Sequence, residues 1–190
     1  MKQEYVTSVL SGVNAKRVLD VGANTGEYSR LAADSGASVV ALDTDVAASE
    51  HNWRLAHEKR LPILPLVADI ARPTPAMGWR NRETASLLER ARENFDCVMM
   101  LGIIHHLLLK DQIPLDEIAQ LTAELTTRCA IVEWVPADDP RFIDLCCGRD
   151  FLYRHLNEEG FLHAFSQFFT PMHRQALSNG RVLFLLLRNT

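Results

Sequence analysis

The stretch RVLDVGANTGEYS, residues 17–29, decides the fold. Val18, Leu19 and Val21 form an apolar run that carries one acid, Asp20; Gly22, Asn24 and Gly26 then break the run before a helical pattern begins. This order reads as a strand, a tight turn and a helix start, which presents helix-terminal N–H groups to a ligand.

Working outward, the same alternation repeats. Upstream, Tyr5, Val6, Val9 and Leu10 recur at helical spacing and predict a short amphipathic helix. Downstream, Tyr28, Leu31 and Ala32 predict a helix that stops at Gly36. The segment SVVALDTD is apolar without alternation from Val39 to Leu42, the mark of a buried parallel strand, and Asp45 is placed to cap the helix after it. LPILPLVADI reads as a third strand at a sheet edge, where Pro62 and Pro65 do least harm. Residues 71–82 hold Pro73, Pro75, Gly78 and Trp79 and read as a long irregular loop of functional interest. A helix through Leu87, Leu88 and Ala91 leads to a fourth strand, FDCVMMLGII, ended by His105 and His106. A helix from about Pro114 and a fifth strand, RCAIVEWV, follow. The remainder reads as a loop, helical structure ending near Gly160, and two antiparallel strands, FLHAFSQFF and RVLFLLL.

Strands alternating with helices through five cycles predict an α/β fold with a doubly wound, mostly parallel sheet covered on both faces. Right-handed crossovers place the parallel strands' C-terminal ends on one rim, where such sheets bind ligands. The reading therefore converges on Asp20 to Gly26, Asp43, Asp69, Gly102 to His106 and Glu133 to Val135.

Composition narrows the function. At 190 residues and 47% hydrophobic content the chain suits one domain over residues 1–190. A net charge of −4 supplies no basic footprint for neutralising phosphates, which disfavours a nucleic-acid substrate. The N-terminus lacks a signal peptide's apolar core, and no apolar run approaches the roughly 20 residues of a membrane helix, so the expected location is the cytoplasm, away from membranes. Four cysteines without metal-ligand spacing read as small core residues, with adjacent Cys146 and Cys147 as a less favoured redox pair. No histidine framework suggests a metal site.

The glycine turn then selects a ligand class. A P-loop needs Gly-Lys followed by Ser or Thr, which is absent. A dinucleotide fingerprint needs a third glycine where Glu27 stands, and a carboxylate in the first helical turn repels pyrophosphate. Asp20, Gly22 and Gly26 instead match acid-x-Gly-x-x-x-Gly, so the segment resembles the first motif of class I S-adenosylmethionine-dependent methyltransferases. A carboxylate is favourable beside that cofactor's ammonium and sulfonium. Asn24 replaces the family's middle glycine, and Asn tolerates a left-handed backbone well.

The resemblance implies the Rossmann-like strand order 3-2-1-4-5-7-6 and a set of roles. Asp43, about 20 residues past Gly22, sits where an acid accepts ribose hydroxyl hydrogen bonds. Asp69 is placed to read the adenine amino group with Ile70 on the ring, or simply to form a turn, and Gly102 lies on the rim. His105 and His106 face the transferable methyl, one serving as general base on a hydroxyl, or pack and cap the next helix. LGIIHHL lacks the Asn/Asp-Pro-Pro-aromatic pattern of N6-adenine and amide methylases. Glu133 and Trp134 line the acceptor pocket or, equally, Glu133 forms a structural salt bridge. Trp79 and Arg80 close over the site or cover the core.

More narrowly, PTPAMGWRNRETASLLERARENFDCV, IIHHLLLKDQIPL and VEWVPADDP resemble the bacterial nodulation-methyltransferase-like domains, over about Val18 to Leu187. Such domains often end a longer protein, so other domains are possible partners. The resemblance implies S-adenosylmethionine-dependent methylation, chiefly O-methylation, of a small-molecule or saccharide-derived acceptor. A non-catalytic cofactor-binding regulatory module and an RNA methyltransferase are the alternatives.

Overall fold

The computed structural model describes residues 2–153 and 156–189. Its elements run α1 (Lys2–Val13), β1 (Arg17–Val21), α2 (Glu27–Asp34), β2 (Ser38–Asp43), α3 (Val46–Glu58), β3 (Ile63–Val67), α4 (Leu87–Ala91), β4 (Phe95–Met100), α5 (Ile104–Leu109), α6 (Leu115–Leu125), β5 (Thr126–Trp134), α7 (Pro140–Cys146), α8 (Glu158–Ser166), β6 (Phe169–Ala176) and β7 (Val182–Arg188). The sheet order is β3-β2-β1-β4-β5-β7-β6, as expected. β1 pairs in parallel with β2 and β4, Val18 lying beside Val39 and Cys97, while β7 runs antiparallel to β5 and β6.

The sheet's pleat divides the core into two layers, because successive side chains of a strand point to opposite faces. Leu19, Val21, Val98 and Met100 face a layer built on Ile104, Ile118 and Phe161; Val18, Cys97, Met99 and Ile131 face Tyr5, Val6, Leu10 and Ala32. The periodicity read in α1 is thus the stripe that α1 buries. Phe161 lies in the first layer with the ring centroids of Phe165, Trp134 and Phe184 at 4.8, 5.4 and 6.0 Å. Truncating such a side chain to alanine costs about 3–5 kcal/mol.

Three expectations are corrected. FLHAFSQFF is not a strand: Phe161, Ala164 and Phe165 are the buried face of α8, and Asn157 caps its start by accepting the Gly160 N–H at 2.8 Å. Gly160 therefore lies in a first helical turn, not at a helix end, and the hairpin is formed by β6 and β7. β4 stops at Met100, so His105 and His106 belong to α5 and do not end the strand. Trp79 is 78% exposed and covers no core; its loop closes locally through a Met77–Thr84 bridge. β3 does occupy an edge, with Pro65 beside Ala41 of β2. Cys97, Cys129 and Cys146 are buried and Cys147 is exposed.

Candidate active site at the sheet rim

The glycine turn after β1 is pinned from three sides. Gly22 (φ +74°) and Ala23 donate their N–H groups to the Leu42 carbonyl at 2.9 and 3.0 Å. Asn24 (φ +49°) adopts the left-handed backbone expected of it and donates its N–H to Asp43 Oδ2 at 2.7 Å. A Cβ on Gly22 would stand 3.0 Å from that of Ile103, so the glycine lets the turn approach the segment after β4. Asp43 Oδ1 also accepts the Asp45 N–H at 2.9 Å, which fixes the carboxylate at the end of β2.

Beside this turn lies a cleft of about 250 Å³. Of the residues expected at the site, Gly22, Asn24, Asp43, Asp69, Ile70, Gly102 and His106 line it. Asp69 is held by the Ala71 N–H at 2.9 Å and by Arg72 Nε at 3.1 Å, so the carboxylate forms a turn while lining the cleft. Arg72, Lys110 and Asp111 also line the cleft and were not anticipated. The spacing Asp69 to Arg72 was visible in the sequence, but the Arg72 Nη2–Asp111 Oδ1 contact at 3.0 Å joins segments 39 positions apart and left no local signal.

Asp20, Gly26, His105 and Glu133 stand outside the lining. Asp20, 2% exposed, accepts the Ser29 hydroxyl at 2.6 Å and ties α2 to β1. Burial pushes its pKa up to about 6; the Ser29 hydrogen bond opposes that rise, and the Asp43 charge adds to it. Gly26 (φ +77°) is the N-cap of α2, where a Cβ would strike the Asn52 side-chain amide. His105 turns into an apolar cluster with Trp134, Phe142 and Phe161, and its Nδ1 has no hydrogen-bond partner among the described residues. Burial, then the neighbouring His106, drive its pKa down to about 4. His106 faces the cleft, its ring centroid 4.4 Å from that of His105; burial and then Lys110 lower its pKa too, leaving a neutral imidazole near pH 7 that can accept a proton.

Glu133 forms the salt bridge that was one of its two readings. It is 1% exposed, with Lys2 Nζ at 2.7 Å and Arg181 Nη1 at 3.7 Å, so a buried charge is matched by two cations. Lys2 also lies 4.8 Å from the Tyr28 ring centroid. The Glu133 carboxylate lies beside Gly102, where an added Cβ would come within 3.4 Å of Oε2. Trp134 packs on Phe161.

A sequence profile described as a methyltransferase domain matches residues 6–127. The chain belongs to the methyltransferase-domain family. This methyltransferase is 29% identical over 167 residues to nodulation protein NoeA of Rhizobium meliloti (strain 1021), covering 87% of the chain and 34% of NoeA. It thus spans about a third of that relative's length. Its fold is similar to that of the N-methyltransferase NodS from Bradyrhizobium japonicum WM9, with TM-score 0.68, 12% identity and coverage of 100% and 97% of the two chains. It is also similar to magnesium protoporphyrin IX methyltransferase (ChlM) from Synechocystis PCC 6803 with bound SAM, with TM-score 0.63, 16% identity and coverage of 99% and 80%. In the rim cleft two carboxylates, Asp43 and Asp69, stand beside a backbone turn free of side chains at Gly22. Among the described residues, no helix is long and apolar enough to cross a membrane, and no cluster of three or more His, Cys, Asp or Glu could hold a metal ion.

Proposed function

We propose that this enzyme O-methylates a small-molecule or saccharide-derived acceptor, with S-adenosylmethionine seated in the rim cleft. The observation that carries the reading is that one cleft collects Gly22, Asn24, Asp43, Asp69 and a neutral His106. Asp43 accepts hydrogen bonds from the ribose hydroxyls, and Asp69 from the adenine amino group with Ile70 against the ring. Gly22 leaves room at the turn for the amino-acid end. Asp20, being buried, acts on that end only through the placement of the turn and α2. S-adenosylmethionine supplies an electrophilic methyl carbon on its sulfonium sulfur. His106 accepts the acceptor hydroxyl's proton as the oxygen–methyl bond forms, leaving a methyl ether, S-adenosylhomocysteine and a protonated imidazole. His105, lacking access to the cleft, is left out of this step.

Calorimetry with S-adenosylhomocysteine tests the seat. Asp43→Ala removes charge-assisted hydrogen bonds of about 1.5–3 kcal/mol and should weaken binding roughly 10- to 150-fold. Unchanged affinity would remove Asp43 from the site. Labelled S-adenosylmethionine incubated with the protein and fractionated bacterial extract tests the acceptor. Label in a base-stable ether of a small polar product supports the reading, whereas label on nitrogen or on RNA overturns it.

A further inference from the structure

The cleft has two walls, one from the segment after β3 and one from α5 and the residues that follow it. Arg72 joins them. Its Nε stands 3.1 Å from Asp69 Oδ2 on its own wall, and its Nη2 stands 3.0 Å from Asp111 Oδ1 across the cleft. Both carboxylates line the cavity, as does Arg72. We propose that Arg72, anchored on Asp111, is the residue that positions Asp69 for the nucleobase and fixes the width of the cleft at that end. This rests on the assignment of Asp69 to the adenine amino group made above.

The geometry gives Arg72 this role in preference to that of a surface ion pair. A carboxylate on a loop has freedom about its Cα–Cβ and Cβ–Cγ bonds, and each orientation that misses the ligand weakens binding. Asp69 loses that freedom because Oδ1 is engaged by the Ala71 N–H at 2.9 Å and Oδ2 by Arg72. The carboxylate keeps unused lone pairs on both oxygens, so a donor from the ligand can still be accommodated. The planar guanidinium suits the task because its Nε and Nη2 donors diverge in a fixed fork; a lysine ammonium offers one point of charge and cannot hold two walls at a set distance. Asp111 is the firmer anchor, its side chain 10% exposed against 30% for Asp69 and 68% for Arg72. The exposed guanidinium makes the bridge sensitive to salt, while the buried end keeps it in register.

The test is calorimetric titration of the whole chain with S-adenosylhomocysteine, paired with steady-state kinetics on whichever acceptor supports turnover. Arg72→Ala should raise the Kd about 5- to 10-fold and raise KM for S-adenosylmethionine by a similar factor, with the loss confined to KM and absent from kcat. Arg72→Lys should recover less than half of that loss. Asp111→Asn should weaken binding in the same direction, and Arg72→Ala/Asp111→Asn should be no weaker than Arg72→Ala alone, since both remove one shared bridge. Between 50 and 500 mM NaCl, affinity should fall for the natural chain more than for Arg72→Ala. Asp69→Asn separates the two levels of the claim. If Asp69→Asn weakens binding while Arg72→Ala does not, the positioning role is wrong and the nucleobase assignment stands. If Asp69→Asn binds as the natural chain does, the assignment itself is wrong and the role of Arg72 falls with it.

Discussion

Arg181 holds Asp139 through two hydrogen bonds, 2.7 Å from Nε and 3.1 Å from Nη2, and these tie the start of β7 to the N-cap of α7. Its remaining amino group faces Glu133, which also receives Lys2 from α1, so four segments meet in one buried ionic network. Removing one partner of a buried pair leaves an uncompensated charge. Arg181→Met should therefore cost about 3–5 kcal/mol in urea unfolding. The Arg181 hydrogen bonds hold the Asp139 pKa below its ordinary value. A carboxyl depressed in this way contributes stability that is present above its unfolded pKa and is lost as pH falls through the folded one. The natural chain should thus lose stability on acidification below about pH 4 more steeply than Arg181→Met does.

Asp20 titrates with the opposite sign. Its folded pKa, about 6, lies above the unfolded value, so the folded state binds the proton more tightly. The stabilisation is fully present below about pH 4 and is lost as pH rises through 6, a span of roughly 3 kcal/mol. Asp20→Asn keeps an oxygen for the Ser29 hydroxyl and carries no charge to desolvate. Its stability relative to the natural chain should improve between pH 4 and pH 7, read as the difference between two series of urea midpoints; parallel series would refute the account.

Gly26 has a strict steric demand. At φ +77° a left-handed backbone costs a side-chain-bearing residue about 1–2 kcal/mol, and an added Cβ would also displace Asn52, which is 1% exposed on α3. Gly26→Ala should lose about 2–4 kcal/mol. Adding Asn52→Ala removes the collision but not the strain, so the double variant should lie closer to Asn52→Ala than Gly26→Ala lies to the natural chain. Strict additivity of the two substitutions would show that the collision is not the cause.

The sequence spoke clearly where one physical rule acted alone. β1, β2, β4 and β5 are largely buried on both faces, which leaves near-continuous apolar runs, interrupted in β1 by Asp20 and in β5 by Glu133. Asp43, Asp69 and Gly22 were legible because the parallel topology fixes which strand ends share a rim. FLHAFSQFF satisfied two periods at once, and the cap at Asn157, outside the segment, settled it as a helix. The histidine pair failed for a related reason. β4 ends at Met100, before Gly102 at φ +78°, and once α5 begins at Ile104, adjacent residues point about 100° apart and face different surroundings. Glu133 was read as costly without a partner, but Lys2 and Arg181 lie 131 and 48 positions away, beyond any local pattern.

That divergence makes the two histidines separable by experiment. His106 lines the cleft, whereas His105 is 5% exposed among apolar side chains, its Nδ1 without a hydrogen-bond partner among the described residues. If His106 is the general base, His106→Ala should lower kcat about 10²- to 10⁴-fold while leaving cofactor affinity nearly unchanged. Its lowered pKa sets the pH dependence: the imidazole must be neutral to accept a proton, so the acidic limb of kcat/KM should fall below the ordinary histidine value of about 6.5. His105→Leu replaces an unsatisfied polar ring with an apolar side chain and should retain turnover with stability within about 1 kcal/mol of the natural chain. An acidic limb that survives in His106→Ala would assign the titration to another group. Full activity in that variant would leave proximity, without proton removal, as the enzyme's contribution.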